Sequence, residues 1–170
     1  MVIAMADVHS IDRQLEAARA VAAAVIDPEI PVLTLEDLGV LRGVTREAGE
    51  IIVDVTPTYT GCPAVLAIEL AVEAALREAG IVNARVRRVL APRWTTDDIT
   101  ERGRAKLKDY GIAPPNARGR GAILFSDETV ACPRCSSVHT TRVSEFGSTA
   151  CKALWRCNDC REPFDYFKCI

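Results

Sequence analysis

The chain of 170 residues contains no apolar run of about 18 residues, the least that a membrane-spanning helix requires. No segment is therefore expected to span a bilayer, and no membrane partner is expected. The first ten residues carry no positive cluster and no long apolar stretch, so they do not read as a secretory signal and a cytoplasmic location is expected. Histidine is scarce, with only His9 and His139. There is no Glu-x-x-His pair of the di-iron kind, no Gly-rich phosphate loop and no dinucleotide fingerprint. An enzyme proper is not expected. Net charge is slight, at −2, which gives no global case for a nucleic-acid partner.

What is present is an ordinary globular composition, 49% apolar and 26% charged, with an unusual share of thiols. Of the seven cysteines (Cys62, Cys132, Cys135, Cys151, Cys157, Cys160 and Cys169), six fall in the last 39 residues. An odd, clustered set does not suit a secreted disulfide framework and points instead to metal in a reducing compartment.

The pattern along the chain predicts an α+β protein. A helix is expected over 11–26, capped by Ser10 after a mobile start at 1–10, and ended by Asp27-Pro28. Two strands, 38–46 and 51–56, flank the turn residues Glu47-Ala48-Gly49-Glu50 and read as a hairpin. A second helix is expected over 63–79, a third strand over 84–90 and a third helix over 97–110, capped by Thr95 or Thr96. The first domain, 11–111, is then α-β-β-α-β-α with a mixed sheet. Residues 112–121 hold two prolines, two glycines and two arginines and read as a linker. A small β domain fills 122–170. Charge is uneven: residues 85–120 carry ten Arg or Lys against four acids, and 27–54 carry seven acids against two Arg. Solvated faces, or a basic face for an acidic protein partner, both fit that distribution.

The C-terminal pattern is Cys132-x-x-Cys135, then 21 residues, then Cys157-x-x-Cys160. Each Cys-x-x-Cys turn sets two thiolates about 3.5 Å apart, close to the edge of a tetrahedron with metal–sulfur bonds of about 2.3 Å. Two such knuckles on neighbouring hairpins make a zinc ribbon holding one structural zinc per chain. Iron–sulfur occupancy and a pair of redox dithiols or disulfides stay open as alternatives. A zinc with four protein ligands has no open position, so this site is read as structural rather than catalytic. Cys151 and Cys169 are flanked by apolar residues and read as buried small hydrophobes, spare ligands or a redox pair. His139 is a substitute ligand that nothing in the spacing requires.

Outside the ribbon, Thr56-Pro-Thr-Tyr-Thr-Gly-Cys62-Pro63 is the most informative stretch. Pro63 suits the first helical position and would leave Cys62 at the cap, facing free amides and the positive end of the helix. A thiol so placed is expected to have a lowered pKa, as suits a nucleophile or a metal or sulfur ligand. With no histidine beside it, a Cys–His hydrolase is not expected.

Val25-Ile-Asp-Pro-Glu-Ile30, Leu38-Gly-Val40 and Thr58-Tyr-Thr-Gly-Cys62-Pro63 resemble the small α/β domain of SufT and other metal–sulfur cluster biosynthesis proteins. Arg93-Trp-Thr-Thr-Asp97, Tyr110-Gly-Ile-Ala-Pro-Pro115, Ser144-Glu-Phe-Gly-Ser-Thr-Ala-Cys-Lys-Ala153 and Glu162-Pro-Phe-Asp-Tyr-Phe-Lys-Cys169 are similar to the PaaD family of phenylacetate degradation. That resemblance implies an accessory protein of the multicomponent phenylacetyl-CoA epoxidase, assisting assembly or transfer of an iron or iron–sulfur centre to its oxygenase or reductase component. A non-catalytic structural or regulatory subunit is the alternative. The resemblance makes Cys62 the functional thiol, with Asp27, Glu29, Thr58 and Thr60 in support. One thiolate does not hold a cluster, so further ligands would come from a second copy in a homodimer, a small thiol, the partner, or Asp27 or Glu29.

Overall fold

The computed structural model describes residues 4–59, 61–115 and 129–168, with side chains from Ile11 onward. The fold is mixed α+β, in two compact units that divide between Trp94 and Thr95.

In the first unit, helix α1 (Ala4–Ala24) sets buried Ala18, Ala22 and Ala23 toward the sheet. It starts before Ser10, which therefore lies inside the helix and is not its cap. It also stops before residue 26, because Ile26 bridges Thr34 and the Asp27 amide donates to the Leu33 carbonyl at 2.9 Å. The Asp27 carboxylate organises the turn that follows. Its Oδ1 accepts from the amides of Glu29 (2.9 Å) and Ile30 (2.8 Å).

Helix α2 (Leu35–Leu38) is a single turn not expected from the sequence; only its last residue, Leu38, falls on the expected strand 38–46, which therefore starts later. Thr34 caps the helix reciprocally with Asp37, and Gly39, at φ 71°, ends it in the left-handed region. Strands β1 (Leu41–Glu47) and β2 (Glu50–Val55) pair antiparallel. Ala48 (φ 49°) and Gly49 (φ 85°) supply the two positive φ values that a twisted two-residue hairpin turn requires. Helix α3 (Val65–Glu78) crosses over to β3 (Ala84–Arg88), which pairs parallel to β2 and gives the order β1-β2-β3. Ile52 and Val53 on the central strand are fully buried.

The register sets arginines of β3 against acids. Arg87 forks onto Asp54 (2.6 and 3.0 Å) and reaches Glu47 (2.9 Å), Arg85 pairs with Glu50 and Arg88 with Glu69. Three charges of the basic stretch are thus matched within the unit and do not form a free basic face.

The second unit opens with a 3-10 turn (Thr96–Asp98). The amide of Thr95 donates to Asp98 at 2.8 Å. Ile99 then turns extended, so helix α4 (Glu101–Tyr110) begins later than expected. Its cap is Thr100, whose side chain accepts from the Gly103 amide at 3.0 Å. Strand β4 (Ile112–Ala113) falls where the sequence placed the linker. It pairs parallel with β7 (Pro163–Phe167), so α4 and β4 cluster with the ribbon instead of closing the first domain. The rest of the expected linker, 116–121, lies outside the described residues. Strands β5 (Thr140–Ser144) and β6 (Lys152–Cys157) complete the order β4-β7-β6-β5. The core is Ala113, Val130, Ala153, Trp155, Phe164 and Tyr166 with Cys132 and Cys157. Trp155 and Tyr166 meet edge to face at 6.0 Å.

Candidate metal and thiol sites

The two Cys-x-x-Cys turns adopt the same backbone. In the first, Cys132 N donates to Ser137 O (2.8 Å); in the second, Cys157 N donates to Glu162 O (3.0 Å). The residue after each second cysteine, Ser136 (φ 60°) and Arg161 (φ 68°), is left-handed without being glycine. These turns aim the four sulfurs at one point. Cys132 Sγ lies 3.7 Å from Cys160 Sγ, and Cys135 Sγ lies 3.5 Å from Cys157 Sγ. All four lie within 4.8 Å of one another. Those separations approach the edge of about 3.8 Å for a tetrahedron with metal–sulfur bonds of about 2.3 Å. An all-sulfur donor set of this geometry fits a soft or borderline metal such as zinc.

Sharing charge among the sulfurs is the site's electrostatic feature. The Cys160 amide donates to Cys157 Sγ and helps hold that thiol down to about 7. At Cys160 the Glu162 amide pulls the same way, but burial and the thiols of Cys157, Cys135 and Cys132 outweigh it and push Cys160 up to about 12. Crowded thiols of this kind resist ionising together, and a dication at their centre is what offsets that repulsion.

His139 is not a ligand. Its Nδ1 sits 3.2 Å from Asp159 Oδ1, and its amide donates to Ser137 Oγ at 3.0 Å. Ser137 Oγ also donates to Asp159 Oδ2, and Asn158 N donates to His139 O at 2.8 Å. Asp159, between the ligands of the second knuckle, is thereby tied to residues just after the first. The sequence reading missed this lock, whose signal was the pair Ser137 and His139 spaced to face a knuckle aspartate. Cys151 is buried, with its sulfur 3.0 Å from Thr149 Oγ1, and joins no group of three or more metal-binding side chains among the described residues. None of the six described cysteines is disulfide-bonded. Cys169 and Thr60 lie outside the described residues.

Cys62 is half-buried in the loop between β2 and α3. Its amide donates to the Tyr59 carbonyl at 3.1 Å. Helix α3 begins at Val65 with Ala64 at the cap, so Pro63 is not the first helical residue and Cys62 stands two residues before the cap. The expected low pKa is overturned. Burial raises the thiol above its ordinary value, and the fields of Glu29 and Asp27 add to the rise. The Ala64 amide and the Thr58 side chain, which hydrogen-bond the sulfur, only partly offset it. The structure thus brings Thr58 onto Cys62 and sets Asp27 and Glu29 near enough to act on its charge. It does not gather Cys62, Asp27 and Glu29 into a ready ligand set, because among the described residues only the four ribbon cysteines converge within 4.8 Å.

Comparison with known proteins follows the same division. Residues 117–168 match the PaaD zinc beta ribbon domain, and residues 15–89 match the iron-sulfur cluster assembly protein domain. A protein of Escherichia coli (strain K12), provisionally named as a subunit of 1,2-phenylacetyl-CoA epoxidase, is 53% identical over 144 residues, 85% of this chain and 86% of that protein. A crystal structure of a domain of unknown function, DUF59, from Bacillus anthracis superposes with a TM-score of 0.53 at 26% identity. It covers 59% of this chain and 96% of that one.

Proposed function

The chain belongs to the PaaD family, and from that membership we propose that it is an accessory protein of the phenylacetyl-CoA epoxidase, helping to assemble or deliver an iron or iron–sulfur centre to an epoxidase component. The observation that carries the reading is the position of Cys62. It lies inside the segment that matches iron-sulfur cluster assembly proteins, in a half-buried loop with Thr58 on its sulfur and two acids acting on its charge.

That setting suits a cargo cation. Without metal, burial and the fields of Glu29 and Asp27 keep the thiol protonated. A dication reverses the sign of the problem: the proton leaves to solvent, the thiolate binds the metal, and the same acids then favour the charged complex. Asp27 already commits one carboxylate oxygen to the turn amides, so it acts first as a positioning residue. The ribbon's four thiolates hold one zinc as a structural staple, supplying folding energy that so small a core lacks. On this reading the oxygen chemistry belongs to partner subunits, and the protein works in the cytoplasm beside them.

The test replaces Cys62 with Ala and with Ser. Loss of phenylacetate-dependent growth, with iron-poor epoxidase components and an intact ribbon zinc, is the expected result. Normal growth with full metal loading would overturn the transfer role. It would favour a structural or regulatory subunit instead, a reading that the relative's name as an epoxidase subunit supports.

A further inference from the structure

A single thiolate leaves most of a metal's coordination unfilled, and Cys62 belongs to no group of three or more metal-binding side chains among the described residues. Beside the Cys62 loop lies an open cavity of about 220 Å³, lined by Thr56, Pro57, Thr58, Tyr59, Leu90, Arg93 and Trp94. Its floor is fixed: Trp94 is 1% exposed and its indole N–H donates to the Leu38 carbonyl at 2.8 Å. Thr56 is likewise 1% exposed and anchored through its amide to Val40 O at 2.9 Å.

No acid lines this cavity. Neither the Arg93 guanidinium nor the Thr56 hydroxyl has a side-chain hydrogen bond or ion pair among the described residues. This sets Arg93 apart from Arg85, Arg87 and Arg88, which are all matched to acids. Arg93 and Thr56 line one small space, and a guanidinium beside a hydroxyl offers the donors that bind a carboxylate. Thr58 joins the cavity to the thiol, since it lines the one and hydrogen-bonds the other. The volume falls below the 300–1,000 Å³ or so of drug-sized pockets, which limits the occupant to a small molecule.

We propose that the Thr56–Arg93 cavity binds the carboxylate of a small mercapto acid, whose sulfur supplies the second ligand to a metal held by Cys62. The co-ligand part rests on Cys62 as the cargo thiol; the carboxylate subsite does not. Binding is dative and ionic, so no bond within the mercapto acid breaks except at its thiol hydrogen; that proton and the one on Cys62 leave to solvent as the metal is bound.

The test uses the full zinc-loaded chain. Propionate is titrated while backbone amides are followed by NMR, and 3-mercaptopropionate is then titrated with and without added Co²⁺. Propionate is expected to shift the amides of Thr56, Thr58, Tyr59 and Arg93 saturably. Arg93→Gln should weaken this about tenfold, as loss of a charge-assisted hydrogen bond implies, while Cys62→Ala leaves it unchanged. With Co²⁺, 3-mercaptopropionate should bind at least about tenfold tighter than propionate and give a thiolate-to-cobalt charge-transfer band that Cys62→Ala abolishes. Absence of saturable shifts, or equal binding by Arg93→Gln, overturns the subsite. Equal affinity of the two acids in the presence of Co²⁺ overturns the co-ligand role and leaves the subsite standing. A Cys62→Ala strain that grows normally on phenylacetate while propionate still binds would reject the cargo reading alone.

Discussion

Cys62 keeps its proton to higher pH than an ordinary thiol because it is half-buried and faces Glu29 and Asp27. Alkylation of Cys62 in the zinc-loaded protein, followed by mass spectrometry across a pH series, should therefore have its midpoint above the usual thiol value of about 8.5. Glu29→Gln should bring that midpoint down. The same raised pKa means the folded chain holds this proton more tightly than the unfolded chain. Its contribution to stability is full below the unfolded value and is lost as pH rises through the folded one. Asp27 carries a separate expectation. Asp27→Ala removes the acceptor for the Glu29 and Ile30 amides and should cost about 1–2 kcal/mol in urea unfolding. At this scale the sequence was legible where chemistry is local. The spacing of Cys132, Cys135, Cys157 and Cys160 dictates a convergence that the fold delivers. The pKa of Cys62 was not legible, because it depends first on burial and then on two acids more than thirty residues away in the chain.

Helix and strand boundaries failed where a tertiary contact competes with a local signal. Asp27-Pro28 does break the chain, but α1 ends earlier because Ile26 pairs with Thr34. Pro63 looks like a first helical residue, yet α3 waits for Val65. Helix α2 was readable and missed: Thr34 and Asp37 have capping-box spacing, and Gly39 marks the stop. The hairpin and its two-residue turn were recovered from alternation and turn chemistry. The loop between β5 and β6 gives a sharper test. A Cβ on Gly147 would come 2.5 Å from Asp165 Oδ1 and 3.3 Å from the backbone carbon of Lys152. Asp165 is also held by Ser148 Oγ at 2.7 Å and by Lys152 Nζ at 3.5 Å, so it is not free to swing away. Gly147→Ala should therefore destabilise the ribbon by about 1–3 kcal/mol. Gly43→Ala, with nothing within 4 Å of its Cβ, should stay within about 0.5 kcal/mol of wild type in the same urea titration.

For the molecule as a whole, the two units should respond differently to a chelator. The ribbon core is eight residues, two of them metal-facing cysteines, and so small a core relies on its metal for folding. Chelation should collapse the amide dispersion of residues 129–168 and leave that of β1, β2, β3 and α3. Metal analysis should find one zinc in wild type and in Cys62→Ala, and none in Cys132→Ser. The division of the chain was only partly legible, because Ile112-Ala113 looks like the start of a linker and becomes a strand only by pairing with Asp165 and Tyr166, a contact no local pattern announces. That two-residue strand also decides how the chain can be cut. A fragment beginning at residue 122 would carry every metal ligand yet leave β7 with an unpaired row of amides and carbonyls, an open template for strands of other molecules. Such a fragment should self-associate, while one beginning at Thr95 should stay monomeric in light scattering, so the shortest well-behaved ribbon is set by an edge and not by the cysteines.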